Sequence, residues 1–250
     1  MNTLTCHFLP DHVDRTALHG VVVVIDQLRA SSTIVAALAA GASGVVPCLT
    51  PDDARAARTR LGGATLLGGE RHGTLIDGFD LANSPSEYTP ERVGERVIAF
   101  TTTNGTRALL HASNAACVLI GCLNNRAAVA SAALAIAAQR TLPIHLLCAG
   151  TGGVVCLDDA LAAGAIAHAI RATDTSRPCD DISMLVHHAF LHAHQRDLLA
   201  AMQASLGGSN LVAIGLAADV ASCTRVDVTP VVPILDRATG MLTRWHGAST

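Results

Sequence analysis

Apolar runs and polar breaks alternate along the chain at a regular spacing. Val21-Val22-Val23-Val24-Ile25 contains no polar residue, as expected of a strand buried on both faces. Similar runs near 44–48, 64–68, 96–101, 116–121, 143–149 and 230–235 predict further strands. Helical patterns fall near 31–41, 51–60, 105–113, 124–139, 158–171 and 182–206. Pro51-Asp52-Asp53 and Asn124-Asn125 read as helix starts, and Gly207-Gly208 as the C-terminal stop of the last helix. The strand–helix alternation of the first half predicts an α/β fold with a mostly parallel sheet. No repeat or low-complexity linker divides residues 1–250, which read as a single α/β domain. Residues 69–95 depart from this pattern: Gly, Asp, Asn, Ser and Pro dominate without a clean period. A polar segment of that length inside a domain points to function, with room for a small lobe built from it and C-terminal segments.

Chemistry gathers where predicted strands end. After Val97-Ile98-Ala99-Phe100 comes Thr101-Thr102-Thr103-Asn104-Gly105-Thr106-Arg107, a loop of small donors that opens a helix. Backbone N–H groups and the positive helix end suit an anion there, and Arg107 adds a planar fork of donors. The plainer alternative is an Asn-Gly turn with Thr caps. Val21–Ile25 runs into Asp26-Gln27-Leu28-Arg29-Ala30-Ser31-Ser32-Thr33, and Ile144–Cys148 into Ala149-Gly150-Thr151-Gly152-Gly153, with Asp158-Asp159 opening the next helix. In open parallel sheets ligands bind at the carboxyl ends of strands. Arginines, N–H-rich loops and several carboxylates together indicate an anionic substrate and a divalent metal. Asp26 reads as metal ligand or nucleophile, or else as a helix cap. Of the vicinal pair Asp158 and Asp159, one can bind metal while the other braces a loop, or both can simply favour a helix N-terminus.

Composition narrows the classes. Half of the 250 residues are hydrophobic but aromatics are only 2%, so the core must be aliphatic and the composition argues against base-stacking platforms. A net charge of −3 with no basic run argues against nucleic acid. All 17 Lys and Arg residues are Arg, which excludes a Walker lysine and Schiff-base chemistry. Mean hydropathy is +0.40. The longest apolar stretch, Ala127 to Ala138, is nevertheless too short to span a bilayer. The N-terminal residues show no signal-peptide pattern, so a cytoplasmic protein that does not engage a membrane is expected. The eight cysteines are scattered without a C-x-x-C pair, so neither a disulfide framework nor a cysteine zinc site is indicated. His188 and His192 are spaced i, i+4, but no Glu follows His188, and this histidine-rich helix reads as a packing element against the sheet or a partner subunit.

The segments Ile25 to Thr33, Gly69-Glu70-Arg71, Gly78 to Pro85, Thr102 to Arg107, and Ala149-Gly150-Thr151 with Asp158-Asp159-Ala160 resemble, in this order, the 2-phosphosulfolactate phosphatase family. Ser209-Asn210-Leu211 with Asp219 and Pro233 is a weaker match. The resemblance covers about residues 20–235. It implies a three-layer α/β/α fold and the magnesium-dependent hydrolysis of a phosphomonoester on a sulfonated 2-hydroxy acid, of the coenzyme M biosynthesis type. It implies catalytic roles for Asp26, Arg29 and Arg107, and metal contacts from Asp26, Glu70, Asp80, Asp158 and Asp159. Substrate contacts are expected from Ser31, Ser32, Thr33, Arg71, Asn83, Ser84, Thr103, Asn104, Gly105, Thr106, Gly150 and Thr151. The chain departs from the family at Gln27, where the family has Val, and at Asp158, where it has Glu. The expected partners are a small anionic phosphoester, Mg²⁺ and a second copy of the chain. Two other readings stand beside this one. One is an aspartyl-phosphate phosphatase of the haloacid-dehalogenase type, against which Leu28 stands where a second Asp is required. The other is a non-catalytic sensor of an anionic metabolite.

Overall fold

The computed structural model describes residues 2–247. In chain order the first half contains β1 (Leu4–His7), β2 (Val21–Ile25), α1 (Ala30–Ala39), β3 (Gly44–Pro47), α2 (Pro51–Leu61), β4 (Leu66–Arg71), β5 (Thr74–Leu75), α3 (Pro90–Val93), β6 (Val97–Thr101) and α4 (Gly105–His111). The second half contains β7 (Cys117–Ile120), α5 (Arg126–Arg140), β8 (Ile144–Cys148), α6 (Leu157–Thr173), α7 (Asp181–Arg196), α8 (Leu198–Ala204), α9 (Leu206–Ala213), α10 (Ala217–Thr224), β9 (Pro233–Asp236) and β10 (Met241–Arg244).

The strands lie in the order β1-β8-β2-β7-β9-β10-β3-β6-β4-β5. Two parallel blocks, β1-β8-β2-β7 and β3-β6-β4, are joined by the antiparallel hairpin β9–β10. The hairpin touches each block through one register, Leu119↔Ile234 and Leu242↔Val45. All five residues of β2 are buried, as expected of a parallel strand covered on both faces. Val21, Val23 and Ile25 face a core with α5, α6 and α7, while Val22 and Val24 face a second core. That second core also takes Val45 of β3, Ile98 and Phe100 of β6, and the apolar faces of α1 and α4. The sheet therefore wraps around α1 and α4, which is how strand ends from its two blocks come to meet. Helices flank the sheet on both faces, the layering of an α/β/α fold.

The long helix expected over 182–206 is broken twice, so Gly207-Gly208 is not its stop. Asp197 leaves helical geometry and caps α8 by accepting the Ala200 N–H, and Ser205 caps α9 by accepting the Gly208 N–H. Both glycines lie inside the first turn of α9. The short strands β1, β5 and β10 and the helices α3 and α10 also went unforeseen, since each is too brief to show a period. Segment 69–95 is ordered at its start. Glu70 and Arg71 pair with Leu75 and Thr74 in a tight hairpin, and Asp80 accepts the Leu67 N–H at 2.8 Å.

Candidate active site

Asp26 follows the last residue of β2 and is 8% exposed. Its Oδ1 accepts the Ala30 N–H at 3.2 Å, and its carbonyl accepts the Ser31 N–H at 2.8 Å, so it does cap α1. Its own N–H donates to the Ser31 hydroxyl at 2.9 Å. The first residue of α4, Gly105, lies against the same carboxylate. A Cβ there would fall 2.7 Å from Asp26 Oδ2 and 2.6 Å from the Ala30 Cβ, so only glycine permits this approach. Burial above all, then the Asp158 and Glu70 carboxylates, push Asp26 up to about 7, against the N–H contacts of Ala30 and Gly105.

Glu70 is the last residue but one of β4 and is 8% exposed. Its Oε1 accepts from the Thr103 N–H and hydroxyl at 3.0 and 3.1 Å, and its Oε2 accepts the Gly73 N–H at 2.8 Å. Asp158 and Asp159 open α6 and are each 2% exposed. Asp159 braces loops: Oδ1 accepts the Gln27 N–H and Oδ2 the Gly150 N–H, both at 2.8 Å. Burial raises the Asp159 carboxyl, reinforced by Asp158 and Asp26, while those two N–H groups oppose the rise. Asp158 is raised by burial too, and the Ser205 hydroxyl and Gly207 N–H act in the opposite direction. Its Oδ1 is buried with no hydrogen-bond partner. Gly207 is glycine for a local reason, since a Cβ there would sit 2.8 Å from Asp158 Oδ2.

The other expected residues fall into three groups. Around the acids, Asn104 Oδ1 accepts the Gly152 N–H at 3.1 Å, closing the 150–153 loop onto the 102–106 loop. Thr106 donates to the Thr102 carbonyl at 2.8 Å, and Thr151 pairs with Val154 across the glycine turn. Ser32 donates to the Gln27 carbonyl at 3.0 Å, while the Thr33 hydroxyl and Asn83 Oδ1 are buried without partners. In a second group, arginines are committed to protein acceptors. Arg29 is 3% exposed, paired with Asp219 and donating to the Gly73 carbonyl at 3.0 Å. Arg71 donates to the carbonyls of Glu70 and Leu49 and to the Thr101 hydroxyl. In a third group, Asp80 and Arg107 stand at the surface. Asp80 lies 3.6 Å from Arg58, and Arg107 pairs with Asp11. Ser84 donates to Asp219 Oδ1 at 2.8 Å, tying segment 69–95 to α10.

Four residues carry more of the site than their sequence context announces. Asp219 holds Arg29 and Ser84 together. Gln27 is fully buried, with Oε1 accepting the Leu123 N–H at 2.9 Å and Nε2 donating to the Cys223 carbonyl at 2.8 Å. Ser205 caps α9 beneath Asp158. Asp11 occupies Arg107. Of these, Asp219 had a signal in the weak C-terminal match, and Gln27 stood out in the matched segment as a departure from the family. The histidine-rich helix makes contacts of its own, with His187 Nε2 3.0 Å from His168 Nδ1 and His194 stacked on Phe190.

Buried carboxylates beside small-residue loops at strand ends are the equipment of an α/β phosphohydrolase, a phosphoric monoester hydrolase. The family model described as 2-phosphosulpholactate phosphatase matches residues 7–238. A Symbiobacterium thermophilum protein named "Probable 2-phosphosulfolactate phosphatase" is 40% identical over 215 residues, 86% of this chain and 90% of its own. Proteins of the same name from Caldanaerobacter subterraneus subsp. tengcongensis and from Synechococcus sp. are each 38% identical, over 89% and 90% of this chain and 90% and 93% of their own. The chain belongs to the 2-phosphosulfolactate phosphatase family.

Proposed function

We propose that the protein is a Mg²⁺-dependent phosphatase that hydrolyses 2-phospho-3-sulfolactate to 3-sulfolactate and phosphate, working as one catalytic unit. The relatives' names supply the substrate. The observation that supports the chemistry is that the buried acids Asp26, Glu70 and Asp158, at the ends of β2 and β4 and the start of α6, act on one another electrostatically. Among the described residues, none of these three, nor Asp159, belongs to an ion pair. Buried like charges without a counter-charge cannot all stay ionised.

A hard divalent cation fits that donor set. Among the described residues no three His, Cys, Asp or Glu side chains stand together as a ready metal cage. Mg²⁺ does not require one: it takes one or two carboxylates, keeps waters and takes the rest from substrate phosphate. The unpartnered Asp158 Oδ1 and the Asp26 carboxylate are the oxygens that would hold it, with Glu70 beside them. When bound, the ion would neutralise phosphate charge and lower the barrier to attack on phosphorus.

The chain's own groups do the rest. Asp26, shifted to about 7, either attacks phosphorus, expelling the sulfolactate oxygen and leaving an aspartyl phosphate that water then hydrolyses, or takes the proton of a water that displaces the sulfolactate oxygen directly. The expelled oxygen leaves with a proton from solvent. The loop Thr102–Thr106 at the α4 N-terminus meets the phosphoryl oxygens, where the helix end favours negative charge. Arg107 meets the carboxylate or sulfonate of the same ligand in charge-assisted contact. Arg29 holds the 26–33 turn and the 70–74 hairpin in place through Gly73 and Asp219. Phosphate release measured over phosphosulfolactate, phospholactate, phosphoglycolate and simple sugar phosphates, with and without Mg²⁺, tests the proposal. A preference for the sulfonated substrate that requires metal supports it. Equal rates on all substrates, or rates that survive chelation, count against it.

A further inference from the structure

Arg107 Nη2 contacts both oxygens of Asp11, at 3.0 and 2.7 Å. The two side chains are 61% and 60% exposed. Asp11 lies in the single turn Pro10–His12, which is pinned at both ends. Leu9 packs on Gly150 so closely that a Cβ there would fall 2.2 Å from Leu9 Cδ2. On the other side, His111, one helical turn beyond Arg107, lies 3.0 Å from the Val13 carbonyl. The 9–13 segment thus runs from the loop that bonds Asp159 to the outer face of α4, whose first residue abuts Asp26. Asp11 is carried by the segment that links the Gly150 loop to the outer face of α4.

We propose that Asp11 is a specificity-determining residue: its carboxylate occupies Arg107 as a stand-in for the second anionic group, carboxylate or sulfonate, of the ligand. This rests on the phosphatase reading above and deepens it. Only one nitrogen of the guanidinium is engaged by Asp11, which leaves the rest of the fork open to an incoming oxygen pair. An exposed ion pair of this kind contributes little, so a ligand that brings its own anion exchanges for Asp11 at little cost. A ligand with a lone phosphate offers nothing to exchange, and the resident carboxylate repels it as well. Asp11 therefore weakens all anionic binding somewhat, while Arg107 rewards only ligands with a second charge.

The test uses the full chain with Mg²⁺ and calorimetric titration of 3-sulfolactate, alongside KM for 2-phospho-3-sulfolactate and for a simple alkyl phosphate. Asp11→Asn should tighten 3-sulfolactate by a factor of up to about five, the ceiling set by the worth of an exposed pair. It should lower KM for the sulfonated substrate by a similar factor, with a smaller effect on the alkyl phosphate. In an Arg107→Ala background the same substitution should have no sulfonate-specific effect. Unchanged or weaker 3-sulfolactate binding in Asp11→Asn, or an equal gain with and without Arg107, overturns the proposal. Failure to release phosphate from any phosphoester would sink the phosphatase reading alone, because the titration still decides the role of Asp11.

Discussion

Asp219 and Arg29 lie 190 positions apart in sequence and form a buried ion pair. The other Asp219 oxygen accepts the Ser84 hydroxyl, and the other Arg29 nitrogen reaches the Gly73 carbonyl. One pair thus ties together the turn after β2, the hairpin that carries Glu70, the 80s loop and α10. Removing one partner leaves a buried charge uncompensated. Asp219→Ala should destabilise the protein by about 3–5 kcal/mol and depress kcat. Asp219→Leu combined with Arg29→Met should recover much of the stability but not the activity. Denaturant unfolding and steady-state kinetics on the three proteins check this. A stable, inactive double variant is the expected signature of a tie that positions the site.

On the proposed mechanism Asp26→Asn should lower turnover by about 10³-fold or more, because the carboxylate would be lost as metal ligand, nucleophile or base. The metal-free variant should melt at a higher temperature than the parent at pH 8. The carboxyl is shifted from 3.8 to about 7, so ionising it costs the folded state on the order of a few kcal/mol, which Asn avoids. A variant with near-parental turnover would reduce Asp26 to a helix cap.

Chelation should abolish activity and Mg²⁺ should restore it. The same ion should raise the melting temperature of the parent far more than that of Asp26→Asn, since binding to the native state alone stabilises it in proportion to affinity. Full turnover after exhaustive EDTA treatment would remove metal from the mechanism.

Gly105→Ala tests the close approach of α4 to Asp26. The new methyl would meet the carboxylate at 2.7 Å and Ala30 at 2.6 Å, so the helix start or Asp26 must shift. A shift of this size at reacting groups should cost about 10²-fold in kcat. Far-UV circular dichroism should be unchanged. Retained activity would show that the α4 N-terminus is not part of the reacting site.

Stability against acid should depend in part on the buried His145, away from the candidate site and beside Asp180. Burial pushes His145 down to about 4, with His7 and His19 adding to the shift, and burial also lowers His7. His145 sits 2.7 Å from the Thr5 hydroxyl and 3.3 Å from His7. A depressed imidazole binds its proton less readily folded than unfolded. Its contribution is therefore intact above pH 6.5 and lost as pH falls from 6.5 towards 4. His145→Gln should flatten the loss of stability over that window by about 1.4 kcal/mol per pH unit at most, the value for one proton. Denaturant midpoints measured at several pH values for parent and variant provide the comparison. Identical slopes would show that another group controls the acid limb.

Much of the fold was legible because the chain writes it locally. The unbroken β-branched run of β2 can only be a covered strand, and Thr50-Pro51 with Asp53 is a helix start that needs no distant partner. Likewise the loops after β2, β6 and β8 announced chemistry because small donors and acids cluster within a few residues. The break of the histidine-rich helix was written locally too, in Asp197 and Ser205, but a continuous apolar period masked it.

Other features required the folded chain. Sequence placed Arg29 and Arg107 on equal terms, and tertiary contacts separated them: one is buried against Asp219, the other exposed against Asp11. Sequence could not divide labour between Asp158 and Asp159. Packing gave Asp159 two backbone N–H partners and left an oxygen of Asp158 without any. The physical reason is the same in each case. Strand and helix signals arise from the spacing of neighbouring residues, whereas the charge state and availability of a side chain depend on burial and on partners that may be a hundred residues away. Those partners meet here only because the sheet wraps around α1 and α4, bringing the ends of β2, β4, β6 and β8 to one place.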